Sequence, residues 1–168
     1  MNTKKLAFSA MFVALGILLP MIFHSFNMGG QMFLPMHIPV LMAGLLLGPL
    51  SGLLVGVLTP ILSSLLTGMP PMFPMLPIMI FELGVYGLSS GYIGKVLNGR
   101  VYIPLLAGMV DGRIAAGIVV FILSRGFGAQ LSPIPFLKGA IITGLPGILI
   151  QLAVIPPLVK LLRRHISL

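Results

Sequence analysis

Apolar residues fill this chain in long runs, and the few polar positions fall mostly between them. The runs cover residues 6–24, 37–66, 75–94, 101–124 and 138–162. Apolar stretches of about 18 residues or more match the hydrocarbon thickness of a bilayer, so each run predicts a membrane helix. The second run is too long for one crossing. As a single helix it would reach roughly 45 Å at about 1.5 Å per residue, against a core of about 30 Å. Its middle reads GLLLGPLSGLLVG, with Gly48-Pro49 at the centre. Proline cannot donate its backbone hydrogen bond, and the residue before it resists helical geometry. Glycine accepts turn conformations that other residues avoid. The pattern therefore predicts two helices, about 37–47 and 50–66, joined by a tight turn.

The expected architecture is an all-α membrane protein, one domain over 1–168, with six transmembrane helices near 6–24, 37–47, 50–66, 75–97, 101–124 and 138–163. Residues 37–47 are too few to span alone. The stretch before them, GGQMFLPMHIP, is expected to dip into the membrane where protein covers it, because irregular backbone at that depth must be shielded from lipid or face water. Gly44, Gly48, Gly52 and Gly56 recur every four residues. Small residues at that spacing let helix backbones approach closely, so these glycines predict helix packing.

Charge agrees with the split. Cytoplasmic loops carry an excess of Lys and Arg. With six helices, Lys4, Lys5, Lys95, Arg100, Lys160, Arg163 and Arg164 all fall on one side with both termini, which is then the cytoplasm. Only Arg125 and Lys138 fall outside, and Arg113 lies within a helix. With five helices, every basic cluster after the first would be misplaced.

Composition supports the same class. The chain is 58% hydrophobic and 7% charged, where a soluble domain carries roughly 25% charged residues. The net charge of +8 would suggest nucleic acid in a soluble protein; here the basic residues sit at helix ends and orient the chain, so no nucleic-acid partner is expected. There is no cysteine, which excludes a disulfide framework, a thiolate metal site and a cysteine nucleophile. Lys4 and Lys5 before an apolar run resemble a signal peptide, but no small-residue cleavage site follows, and a retained first helix is expected.

In this topology the outer connections are 25–36, 67–74 and 125–137; the second reads TGMPPMFP and the third begins RGFGAQLSPIPF. They lack acidic residues and are rich in Gly, Pro, Met and Phe. Apolar loops of this kind suit lids packed over a ligand or a position in the lipid interface. Met72 and Phe73 are the lid candidates of the second loop. Ionisable residues inside the membrane are functional candidates, and here they are Glu82, Asp111 and Arg113. Tyr86 follows Glu82 by one turn on the same face. Asp111 and Arg113, two apart, point to different sides of their helix, and Gln151 lies at mid-depth in the last one. Either Glu82 pairs with Arg113, or the two belong to a pocket in which Arg113 holds a carboxylate or other acceptor. His24 and His37 flank the first outer loop; no metal site is expected from them.

A phosphate-binding loop is absent: SSGYIGKV around Lys95 has no glycine five residues before Gly94 and no Ser or Thr after the lysine. No Ser/His/Asp set or paired carboxylates are arranged for catalysis. An enzyme is therefore not expected, nor a cofactor; capture of a small molecule, with energy supplied elsewhere, fits better.

LPMHIPVLMAGLLLGPLSGLLVGVLTPILSSLLTGMPP, within the six-helix plan, resembles the substrate-capture subunit (S component) of energy-coupling factor vitamin transporters, over essentially the whole chain. Ala10-Met-Phe-Val-Ala14 is similar to that family's AxxxA motif, which implies that Ala10 and Ala14 face a membrane coupling subunit. The resemblance implies binding of a vitamin from outside beneath the outer loops, association with the coupling subunit and two cytoplasmic ATPases, and toppling in the membrane of a prokaryotic cell. By position, Glu82, Tyr86, Arg113, Gln151, His37, Met72 and Phe73 become candidate substrate-binding residues. Leu50 departs from relatives with a basic residue after the Gly-Pro turn; with no tryptophan in the chain, Phe73, Phe127, Phe136 and Tyr86 remain for stacking on a ligand ring. Arg113, with Arg125 and Lys138, favours an anionic or acceptor-rich ligand; Glu82 keeps an amine-bearing one open. Two other functions stay open: a proton-coupled secondary transporter using Glu82, and a non-transporting interaction protein.

Overall fold

The computed structural model describes residues 3–25, 30–129 and 131–165. Their regular structure is entirely helical: α1 (Thr3–Ser25), the single-turn α2 (Gly30–Phe33), α3 (His37–Leu47), α4 (Pro49–Thr67), α5 (Met75–Val96), α6 (Tyr102–Gly126) and α7 (Pro133–His165). Five of these, α1 and α4 to α7, are long and apolar enough to cross a membrane; α3 is a short apolar helix of 11 residues.

The turn at Gly48 is as tight as a turn between helices can be. Gly48 alone separates α3 from α4, with φ at 101°, a conformation that side chains disfavour. Its N–H donates to the Gly44 carbonyl at 3.0 Å, and its own carbonyl accepts from Gly52 N–H at 3.0 Å. Pro49 takes the first position of α4, where a missing N–H costs nothing. The chain reverses here. Pro49, Gly52 and Gly56 meet Gly91, Gly87 and Leu83 in turn, so α4 runs antiparallel to α5. On α3, Gly44 meets Gly87 and Ser90 while Leu45 reaches Gly94, so α3 runs with α5.

Glycine makes these contacts possible. A Cβ on Gly91 would lie 2.7 Å from the Pro49 backbone, and one on Gly52, Gly56 or Gly87 would strike the facing carbonyl. Gly44, Gly52 and Gly56 thus pack as the sequence spacing predicts, while Gly48 serves the turn and has open space around it.

α6 returns antiparallel to α5: Pro104 lies by Gly94, Gly108 by Ser90, and Gly112 against Tyr86. α7 runs back along α6, from Leu137 at Gly117 to Arg163 at the opposite end. α1 lies beside α4, with Ala10 near Leu54 and Gly16 against Thr59. The start of α1, the turn at Gly48 and the end of α7 consequently share one end of the bundle. At that end the Arg163 guanidinium donates to the carbonyls of Leu45 at 2.9 Å and Gly99 at 3.2 Å. One side chain thereby joins α7 to the end of α3 and the α5–α6 turn.

At the other end, α4 stops at Gly68 (φ 72°), whose N–H donates to Ser64 O. The hydroxyls of Ser63 and Ser64 reach forward to the carbonyls of Met69 and Pro70, both at 2.7 Å, and fix the start of the loop to α5.

Both edges of the α6–α7 connection depart from the expected ones. α7 begins at Pro133 rather than near 138, and Lys138 lies within it. Proline is tolerated in a first helical turn, so SPIPF reads as a helix start rather than a loop. α6 runs on to Gly126, which places Arg125 in its last turn, 5.7 Å over the ring of Phe121.

Candidate functional site

Polar side chains are few enough that their meeting places stand out. Glu82, two turns into α5, is buried, and Tyr86 one turn on is buried on the same face. α6 brings Arg113 across to Glu82: Nη1 donates to Oε1 at 2.5 Å. Gly112 allows this approach, since any side chain there would strike the Tyr86 ring. Taking two opposite charges into a low-dielectric interior is tolerable only when they neutralise each other. The first turn of α3 adds His37, buried, with Nε2 3.6 Å from the same carboxylate oxygen and its ring edge-on to Tyr86 at 5.0 Å. That distance is too long for a hydrogen bond. Both His37 nitrogens, and Nε and Nη2 of Arg113, are buried without a hydrogen-bond partner among the described residues.

The fourth wall is α7. Gln151 is buried and donates from Nε2 to the Leu34 carbonyl at 3.5 Å. Gly144 and Gly147 on the same helix receive the segment that runs from α2 into α3. A Cβ on Gly147 would lie 2.7 Å from the Phe33 carbonyl, and one on Gly144 3.1 Å from Leu34 Cδ1. The irregular stretch before α3 therefore lies on α7 beside the polar centre.

Glu82, Tyr86, Arg113, His37 and Gln151, expected from position, gather around one centre. Met72 and Phe73 do not join it: both side chains are exposed on the α4–α5 loop. Phe127 is exposed as well, and Phe136 packs on a separate cluster around Ala116 and Val120. Residues 26–29 of the first connection lie outside the described residues, as does the side chain of His24. Asp111 and Arg113 were expected on different sides of their helix, yet both reach α5: Asp111 accepts a hydrogen bond from Ser89, while Arg113 holds Glu82. Ala10 and Ala14 are exposed on α1. Ala10 borders a shallow apolar groove shared with Leu54, Val55 and Leu58 of α4.

Three participants escaped the sequence reading: Leu34, Gly144 and Gly147. The pair of small residues three apart in TGLPG was the available signal for the last two.

A family model described as "ECF transporter, substrate-specific component" matches residues 4–159. No curated protein and no solved structure matches the chain.

Proposed function

This chain belongs to the family of substrate-specific components of ECF transporters, and we propose that it captures a vitamin or related micronutrient outside a prokaryotic cell for uptake powered by partner ATPases. The observation that carries this reading is the buried centre of Glu82, Arg113, His37 and Gln151 within an otherwise apolar bundle. Polar groups at such depth are costly, and they collect where a substrate is held. In this reading Tyr86 lines the same site, and Met72 and Phe73 close over it from the neighbouring loop.

The site lies toward the bundle end away from the chain termini, which is the outer side in the proposed orientation. Both termini and the turn at Gly48 then face the cytoplasm, in agreement with Lys4, Lys5, Lys95, Arg100, Lys160 and Arg164 at that end. The exposed Ala10 and Ala14 offer a close-packing face to a membrane coupling subunit, which in turn engages two ATPases.

Mass spectrometry of small molecules released from the purified protein tests the reading. A vitamin-class compound at near one per chain is expected. Its absence, together with no thermal stabilisation by any vitamin, would overturn the capture role. Uptake by vesicles that contain this chain alone would overturn the dependence on partners. Cysteines placed by Pro70→Cys and Gly99→Cys are expected to label from opposite sides of the membrane.

A further inference from the structure

The central ion pair uses only part of Arg113. Nη1 is engaged by Glu82, while Nε and Nη2 are buried with no partner among the described residues. Those two nitrogens form the side edge of the guanidinium. Their N–H bonds run parallel and match the two oxygens of one carboxylate.

Near the Nη2 end of that edge lies the notch of Gly144. The position one bond off Gly144 Cα is 3.5 Å from Arg113 Nη2 and 3.1 Å from Leu34 Cδ1. The glycine notch is thus bordered by both the free nitrogen and the leucine side chain. Leu34 reaches it from a left-handed backbone, φ 49°, which a bulky residue adopts only under strain. Its carbonyl accepts from His37 N–H at 3.1 Å and from Gln151 at 3.5 Å, the second at the limit of a hydrogen bond. A strained apolar side chain beside the unmatched donors of a cation is readily exchanged for something better suited.

Resting on the capture role proposed above, we infer that the ligand is a monocarboxylate whose two oxygens take the Nε–Nη2 edge of Arg113, displacing Leu34. Charge selects this class. Glu82 already neutralises Arg113, so a monocarboxylate adds one net negative charge to a low-dielectric site, and a phosphate dianion would add two. An amine would share the Glu82 carboxylate with Arg113, which already holds Oε1 at 2.5 Å. His37, without a hydrogen-bond partner at either nitrogen among the described residues, supplies one donor and one acceptor to the rest of the ligand when neutral. Leu34 leaves together with α2, whose seat on Gly147 is a backbone contact with no side chain from the glycine to hold it.

The test uses the full chain in lipid nanodiscs. Released small molecules are identified, and binding is measured for acids against their neutral counterparts: nicotinate with nicotinamide, pantothenate with pantothenol. A carboxylate among the released molecules, and an acid that binds at least about tenfold tighter than its neutral form, are expected from loss of a charge-assisted pair. A vitamin without a carboxylate, or an acid and neutral form bound equally, would overturn the inference while leaving the capture role standing. No bound or released vitamin at all would overturn both. Arg113→Lys keeps the charge and loses the edge; a loss of at least about tenfold is expected, and retained affinity counts against the assignment. Should that variant not fold, the acid and neutral pairs on the unaltered chain decide. Leu34→Ala is expected to tighten binding several-fold, and unchanged or weaker binding would remove Leu34 as the displaced group.

Discussion

Two seams in this molecule are built on glycine, and they differ in what lies behind them. In the first, Gly52 and Gly56 of α4 press against Gly87 and Leu83 of α5, backbone to backbone. Both partners are helices that satisfy most of their own backbone hydrogen bonds, although Pro60 cannot donate to the Gly56 carbonyl. In the second, Gly144 and Gly147 of α7 receive Leu34 and Phe33, at the junction of the single-turn α2 with the irregular stretch before α3. Behind it stand nitrogens of Arg113 and His37 that have no hydrogen-bond partner among the described residues. Close packing alone does not make a joint permanent. The first seam leaves nothing to gain by parting; the second does.

The comparison breaks most visibly at Gly87. Gly87→Leu would drive a side chain into the Gly52 carbonyl, and a loss of about 3 kcal/mol or more is expected in thermal or denaturant unfolding, at the upper end of overpacking costs. Wild-type stability in that variant would mean the first seam is not what holds the bundle. Ala10→Trp or Ala14→Trp touches neither seam. Assembly with the coupling subunit and ATPases should be lost in co-purification, with ligand affinity retained; the reverse result would move the partner face elsewhere. Arg113→Ala should weaken ligand binding by at least about tenfold, equivalent to the roughly 1.5–3 kcal/mol of a charge-assisted bond, as read by calorimetry. Gly147→Ala should have the smallest effect on the fold. It lifts α2 from its seat, so ligand association and dissociation should both quicken, while stability falls by less than about 1 kcal/mol. Equal destabilisation at Gly87 and Gly147 would erase the distinction between the seams.

The fold was largely legible because its signals are backbone signals. Gly48-Pro49 marks a reversal through two residues whose conformational limits are intrinsic, and α3 runs from 37 to 47 as the pattern indicates. The start of α7 was misread because proline marks both loop and first helical turn, and only the neighbours of Pro133 decide which. At the site, charged residues in apolar helices announced themselves, and Glu82 and Arg113 do pair. Leu34 was invisible: one leucine among many, significant only through its backbone angle and its seat on Gly144. Met72 and Phe73 were chosen for loop composition, which says nothing about where an exposed side chain points.

Arg163 carries one further consequence. Its guanidinium ties the last helix to the carbonyls of Leu45 and Gly99, while the segment at Leu34 meets that helix through the long hydrogen bond from Gln151. Stiffness is thus graded along the long axis of the molecule, firm by the termini and yielding near Leu34. A body braced in this way parts from one side only, so admission of a guest need not loosen the face that a neighbouring subunit would grip.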